Sequence, residues 1–235
     1  MPIHIKASPG DIASRVLATG DPGRSSLLAR ELLDDYRLVN DNRGLLVYTG
    51  FFNGVEVTIA THGMGGPSAL IVFEELAMLG ARYIIRLGTA GSLRGTINVG
   101  EAVVASAASC TQGGCGLGQY YAGITPPSAP DPVLIRDLYT RASKRLTTHM
   151  GPVFSSDSFY AEDEVLAHRL SSLGFIAIEM EVAPLYALSW LRGFRAAALL
   201  VISNSLVGEG KNGYRDLGGV MVEAGRAVLE TLTSI

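Results

Sequence analysis

Ala177-Ile-Glu-Met-Glu-Val-Ala183 sets two carboxylates, Glu179 and Glu181, on either side of Met180 in an apolar run. On a strand the two acids would share one face and Met180 would take the other. At a strand-to-helix junction all three would line one cleft. Buried carboxylates are costly unless paired, so the pattern asks for cationic partners or a ligand. The plain alternative is a solvated acidic turn ahead of a helix. Arginines stand in similar places. Arg86 interrupts the apolar Tyr83-Ile-Ile-Arg-Leu87 and must either pair within the protein or reach a ligand. Thr89 follows it in Gly88-Thr-Ala-Gly91, read as a turn with a hydroxyl and an N–H free for a phosphate oxygen. Arg24 ends Gly20-Asp-Pro-Gly-Arg24, a strand-to-helix turn whose N–H groups favour an anion. Its plain alternative is a surface arginine. Arg43, in Asn40-Asp-Asn-Arg-Gly44, reads by default as a loop charge.

Other motifs narrow the chemistry. His62-Gly-Met-Gly-Gly-Pro-Ser68 lets the backbone approach a ligand or a packed helix closely. It lacks the dinucleotide spacing and the nucleophile-elbow frame, so Ser68 reads as a cap or a packing residue. Cys110 and Cys115 are the two cysteines, in a Gly-rich loop with no further zinc-ligand pair. They read as free thiols, with a local disulfide as the alternative. Arg215, in Gly208-Glu-Gly-Lys-Asn-Gly-Tyr-Arg215, is either a solvated charge or a residue that closes over a site.

The elements that must position these residues alternate between strand and helix. Strands are expected at Arg15–Thr19, Leu45–Phe52, Val55–Thr61, Tyr83–Leu87, Glu101–Ala108, a strand end at Val153–Ser156, and Ala196–Ser203. Asn53-Gly54 between the second and third marks a tight hairpin. Helices are expected over Ser25–Asp34, Pro67–Leu79, Asp131–Leu146, Glu162–Leu173, Val182–Arg192 and Leu217–Ile235. Ser109–Pro130 reads as a long loop of functional or interface type. With 235 residues, 48% of them hydrophobic and 17% charged, the chain suits one α/β domain over residues 1–235. In such sheets ligands sit beyond the carboxyl ends of the strands, where the motifs above fall. A net charge of −3 argues against nucleic-acid binding. No run is long and apolar enough for a membrane span, and the start has no signal-peptide layout, so a cytoplasmic location is expected.

In combination and order, Gly20-Asp-Pro-Gly-Arg24, Asn42-Arg-Gly44, His62-Gly-Met-Gly-Gly-Pro-Ser68, Arg86-Leu-Gly-Thr-Ala-Gly91, Ser156-Asp-Ser-Phe-Tyr160 and Glu179-Met-Glu181 resemble one family. It is the nucleoside phosphorylase family of hexameric purine nucleoside phosphorylases, uridine phosphorylases and archaeal-type methylthioadenosine phosphorylases, with the closest likeness to the last. The resemblance implies a central mixed, twisted sheet flanked by helices, and attack of inorganic phosphate on the sugar as the base leaves. It implies phosphate held by Gly20, Arg24, Arg86 and Thr89, with Arg43 reaching in from a neighbouring subunit. Ribose would be held by Met180 and Glu181, with the neighbour's His4 at the 5′ position. The base would lie among Ala90, Gly91, Phe159, Glu179 and Asn204. Asn204, Arg24 and Arg86 would carry catalysis. Phosphate would be a co-substrate, with no metal or organic cofactor, and the assembly a hexamer built as a trimer of dimers.

Two departures bear on the base. Where the purine and methylthioadenosine enzymes place an aspartate after Leu200-Val-Ile-Ser203, this chain has Asn204. An amide donates a hydrogen bond but transfers no proton at neutral pH. This favours 6-oxopurine nucleosides, inosine and guanosine, over adenosine and 5′-methylthioadenosine. The Gln and Arg with which uridine phosphorylases read their base are replaced by Ala161-Glu-Asp-Glu-Val-Leu166, which points away from uridine and keeps it as the alternative. A nucleosidase, a dinucleotide-dependent oxidoreductase and a non-catalytic nucleoside-binding protein are the remaining classes.

Overall fold

The computed structural model describes residues 2–207 and 217–235. Arg215 lies outside the described residues. The elements run β1 (Arg15–Thr19), α1 (Pro22–Leu32), β2 (Asp34–Asn40), β3 (Val47–Phe52), β4 (Val55–Thr61), α2 (Gly66–Met78), β5 (Tyr83–Ser92) and β6 (Ala102–Cys110). They continue with α3 (Pro132–Ala142), β7 (Thr148–Ser155), α4 (Glu164–Ser172), β8 (Ala177–Glu179), α5 (Val182–Arg192), β9 (Arg195–Ser205) and α6 (Gly218–Leu232). This is the expected α/β class, with helices flanking a mixed nine-stranded sheet.

Local chemistry explains most boundaries. Asp21 caps α1 by accepting from Gly23 N, with Pro22 opening the helix. Asn53 and Gly54 both take positive φ, the backbone a tight hairpin needs, and β3 and β4 pair in register around them. Asp131 caps α3 through Val133 N and Leu134 N. β2 was not expected. Its residues Asp34 to Arg37 are exposed and charged or aromatic, so the strand shows no alternation of apolar and polar positions.

The strands run in the order β2-β3-β4-β1-β5-β8-β7-β6-β9, and β9 also pairs with β5. β5, β8, β7, β6 and β9 therefore close into a ring, and β1 to β4 extend from it as an open sheet. The β5–β9 pairing is parallel and runs from Tyr83↔Arg195 to Ser92↔Ser205. It keeps Gly88–Gly91 in extended strand, where the sequence suggested a turn. On its other edge β5 pairs with β1 over Tyr83–Arg86 and with β8 over Gly91–Ser92. Leu87–Ala90 have no strand partner on that edge. The chain forks there, between the end of β1 and the end of β8, and such a fork is where α/β sheets place ligands.

Two apolar layers hold the sheet. One is built around Phe73, Leu76, Ile84, Tyr186 and Ile202, under α2 and α5. The other is built around Leu28, Leu87, Leu134, Leu199 and Val228, under α1, α3 and α6. Both faces of β5 and β9 are buried, which is why their sequences read as near-continuous apolar runs.

Candidate active site

A cavity of about 690 Å³ opens at the fork. Its wall includes Gly20, Arg24, Arg43, Arg86, Thr89, Ala90, Gly91, Phe159, Glu179, Met180, Glu181 and Asn204. Every phosphate-, sugar- and base-site candidate that the resemblance implies, except His4, thus borders one space.

Arg86 anchors it. Its side chain is 4% exposed and donates through Nη2 to Glu181 Oε2, with Glu179 Oε2 at 3.4 Å. Its Nε and Nη1 are buried and have no hydrogen-bond partner among the described residues. The guanidinium folds back over Gly88, where a Cβ would stand 1.5 Å from Nη1. Gly88 is therefore needed for the room Arg86 occupies, not for a turn. Arg24 makes no hydrogen bond or ion pair among the described residues. Burial, and after it the charge of Arg86, push its pKa down. Two cations thus share the end of β1 and the fork of β5; Glu181 and Glu179 partner Arg86 through Nη2, and Arg24 has no paired acid among the described residues.

The carboxylates divide their work. β8 ends at Glu179, α5 starts at Val182, and Met180 and Glu181 form the junction, as the second reading of the motif requires. Glu179 Oε2 accepts from Glu181 N at 2.7 Å, and both its oxygens accept from Val182 N. Ser155 Oγ donates to Glu179 Oε1. Glu179 borders the cavity, as expected, but its oxygens are committed to the start of α5. Glu181 Oε1 accepts from Gly65 N at 2.6 Å, while Oε2 takes Arg86. Burial pushes both carboxyls up. Arg86 sits nearer Glu181, so Glu181 ends below the usual carboxylate range and Glu179 above it.

His62 lies beside this cluster, fully buried and packed on Phe73 with ring centroids 5.3 Å apart. Neither ring nitrogen has a hydrogen-bond partner among the described residues. Burial, then the charge of Arg86, lower its pKa to about 4, so the imidazole is neutral at ordinary pH. Among the described residues, the buried side-chain atoms without partners all belong to His62 and Arg86.

The opposite wall is polar but uncharged by arginine. Ser203 Oγ donates to Asn204 Oδ1 at 3.0 Å, which leaves the Asn204 amide N–H groups without a protein acceptor among the described residues. Phe159, 43% exposed, presents its ring from the segment between β7 and α4. Glu162, Met64 and Ser203 also line the cavity and were not expected there. Glu162 sits in an acidic run that gives no sign which acid turns inward. Met64 is visible in sequence only as one residue of a glycine phrase.

His4 stays outside its own chain's cavity. Glu75 holds it, accepting from the backbone N–H groups of Ile3, His4 and Ile5 and pairing with His4 Nδ1 at 2.8 Å. A residue so near the start would be taken from sequence for a loose tail. Asn42 Nδ2 donates to His4 O, tying His4 to the turn that carries Arg43. Arg43, expected from a neighbouring subunit, borders the cavity of its own chain. Cys110 and Cys115 are free thiols, and Cys115 N donates to Asp157 just ahead of Phe159.

A forked α/β sheet whose cavity holds unsatisfied arginine donors beside two buried carboxylates fits an enzyme of the nucleoside phosphorylase type, a pentosyltransferase. The family model described as "Phosphorylase superfamily" matches residues 14–235, and the chain belongs to that family. It is 39% identical to a DeoD-type purine nucleoside phosphorylase of Streptococcus suis, over 88% of each chain. It is 33% identical to a guanosine phosphorylase of Halorubrum lacusprofundi, over 89% of this chain and 86% of that one. Its fold superposes on a uridine phosphorylase of Vibrio fischeri with a TM-score of 0.90 at 29% identity, covering 100% of this chain and 97% of the other. No described helix is long and apolar enough to cross a membrane.

Proposed function

We propose that the protein cleaves purine nucleosides, inosine and guanosine foremost, with inorganic phosphate, yielding the free base and (deoxy)ribose 1-phosphate. The observation that carries this reading is Arg86, a buried cation with two donors unused among the described residues, beside Arg24, which has no ion pair among them. Water would not require such a site, whereas a phosphate dianion satisfies it. The names of the relatives, a guanosine phosphorylase and a purine nucleoside phosphorylase, support the purine.

The roles follow from position. Arg24, Arg86, Thr89 and the N–H of Gly20 hold phosphate against the anomeric carbon, and Arg43 adds charge at the rim. Glu181, kept ionised by Arg86, accepts from the sugar hydroxyls, with Met180 packed beneath. Glu179 fixes the junction that aims Glu181. As the glycosidic bond breaks, positive charge builds on the sugar and is met by phosphate and Glu181. Negative charge builds on the base, and the Asn204 amide, with Ala90 and Gly91 behind it, donates to it. Phe159 stacks on the ring. Phosphate is the co-substrate, and no metal or organic cofactor has a part in these steps. His4 completes the 5′ side of a second copy's cavity, and its link to Arg43 through Asn42 makes both part of one interface. The reading includes a homo-oligomer, a hexamer built as a trimer of dimers, working in the cytoplasm.

The test is base release from inosine, guanosine, adenosine, methylthioadenosine and uridine, with and without phosphate. Phosphate-dependent release from the oxopurines is expected. Phosphate-independent release would make the protein a nucleosidase. Release of uracil alone would favour the uridine reading, which the Vibrio fischeri structure keeps in view. Asn204→Asp is expected to raise turnover of adenosine and methylthioadenosine; no gain would remove Asn204 as the reason for the oxopurine preference.

A further inference from the structure

Glu162, Asp163 and Glu164 form an acidic run between Phe159 and α4. Two of the three have structural duties. Asp163 caps α4 by accepting from Leu166 N at 2.7 Å, and Glu164 lies 3.8 Å from His168 one turn on. Glu162 alone turns inward: Ala161, Asp163 and Glu164 are exposed, while Glu162 is half-buried and lines the cavity. It forms no ion pair among the described residues. Its own surroundings are Ser156 and, further off, Glu179. Burial pushes its carboxyl up; the Ser156 hydrogen bond pulls against that, and the Glu179 charge adds to the rise. A half-buried carboxylate on a cavity wall, with no cation paired to it among the described residues, takes hydrogen-bond donors from whatever enters. Phosphate offers none of use, and the sugar already has Glu181.

The base is what remains. On its pairing edge guanine presents two adjacent donors, N1–H and the 2-amino group, beside the acceptor O6, with N7 a further acceptor on the neighbouring edge. Hypoxanthine keeps N1–H and lacks the amino group. Adenine places a bare lone pair at N1, which a carboxylate repels. We infer that Glu162 reads the base, its carboxylate accepting from N1–H and the 2-amino group of a guanine-type purine while the Asn204 amide donates to the oxo side. This rests on the phosphorolysis reading above and narrows its substrate to nucleosides with a donor at N1. The carboxylate and the amide form a complementary pair: one wants donors and the other wants acceptors, and they border one cavity with Phe159 as the stacking face. The local reason is the short helical turn at Phe159–Ala161, which brings the phenyl ring and the next acid to the same opening.

The experiment compares kcat/KM for guanosine, inosine and adenosine, at saturating phosphate, in the wild type, Glu162→Gln and Glu162→Ala. In Glu162→Ala, loss of hydrogen bonds to a charged acceptor should lower guanosine cleavage roughly 100-fold and inosine cleavage roughly 10-fold, leaving adenosine unreduced. Glu162→Gln should raise adenosine relative to guanosine, because an amide donates to N1. The readout is a ratio between bases in one preparation, so partial loss of folded protein cancels. Equal losses on all three bases, or unchanged ratios in both variants, would overturn the role of Glu162. A wild type that releases no base from any of the three in phosphate overturns the phosphorolysis reading itself.

Discussion

The two ends of the cavity are made differently. The end that carries the arginines and the paired carboxylates is built from strand termini and a strand-to-helix junction. Arg86, Glu179, Glu181 and His62 are all buried there, and each carboxylate is held by backbone N–H groups. The other end hangs on residues 156–163, where Phe159 and Tyr160 are exposed, with Asn204 opposite near the end of β9. The first end is set before any ligand arrives, with donors left over. The second is assembled from side chains on the surface of the fold. Under the proposed function, chemistry common to all substrates falls on the buried part and selection among them on the exposed part, which tolerates change.

Substitutions at the two ends should therefore fail in different ways. Arg86→Ala removes the shared partner of two buried carboxylates. It should lower stability by about 3–5 kcal/mol and turnover by roughly 10³-fold, measured by chemical denaturation and phosphorolysis rates. A fully stable, inactive variant would show that the carboxylates do not depend on Arg86. Gly88→Ala tests the same place by volume alone. Its Cβ would fall 1.5 Å from Arg86 Nη1 and must displace the guanidinium. Turnover should drop by roughly 10²-fold, with a higher KM for phosphate; a normal KM would mean that Arg86 has room to fold elsewhere.

His62 tests whether the rigid end is tuned by charge. In the folded protein its pKa is about 4, against 6.5 for an ordinary histidine. The unfolded chain therefore binds a proton that the folded one refuses. The stability this contributes is fully present above pH 6.5 and is lost as pH falls towards 4, by about 3 kcal/mol in all. Urea midpoints for the wild type should fall across that window, and those of His62→Gln should fall less. Parallel curves would place the acid loss in other groups. Phe159→Ala should have the smallest effect. Base stacking lost at an exposed side chain should cost roughly 10-fold in kcat/KM and leave the denaturation midpoint unchanged within about 0.5 kcal/mol.

Much of the rigid end was legible in the sequence, because its signals are local. A charged residue in an apolar run must have a purpose, and Arg86 and Glu181 could be picked out on that ground. The turn read at Gly88–Gly91 was wrong in conformation, since pairing with β9, more than a hundred residues away, decides that the backbone stays extended. Ring closure through the same pairing has no local signal either. β2 was missed because an exposed strand paired on one side leaves no apolar alternation. The inward turn of Glu162 could not be read, because three acids in a row look alike until one is used as a cap and another lies near a histidine. His62 was noticed only as part of a glycine phrase, and its burial depends on how α2 packs under the sheet.

The closure of β5, β8, β7, β6 and β9 has a consequence for colloidal behaviour. A sheet end that pairs with itself offers no row of open N–H and C=O groups to another chain. Among the described strands the open edge left is β2. It carries Asp34, Asp35 and Arg37, its register with β3 is broken between Asp34 and Arg37, and Asp35 has positive φ. Charge and an irregular edge both oppose templated strand addition. The polar segment that gave the weakest strand signal is thus the one that guards an otherwise very apolar sheet against aggregation.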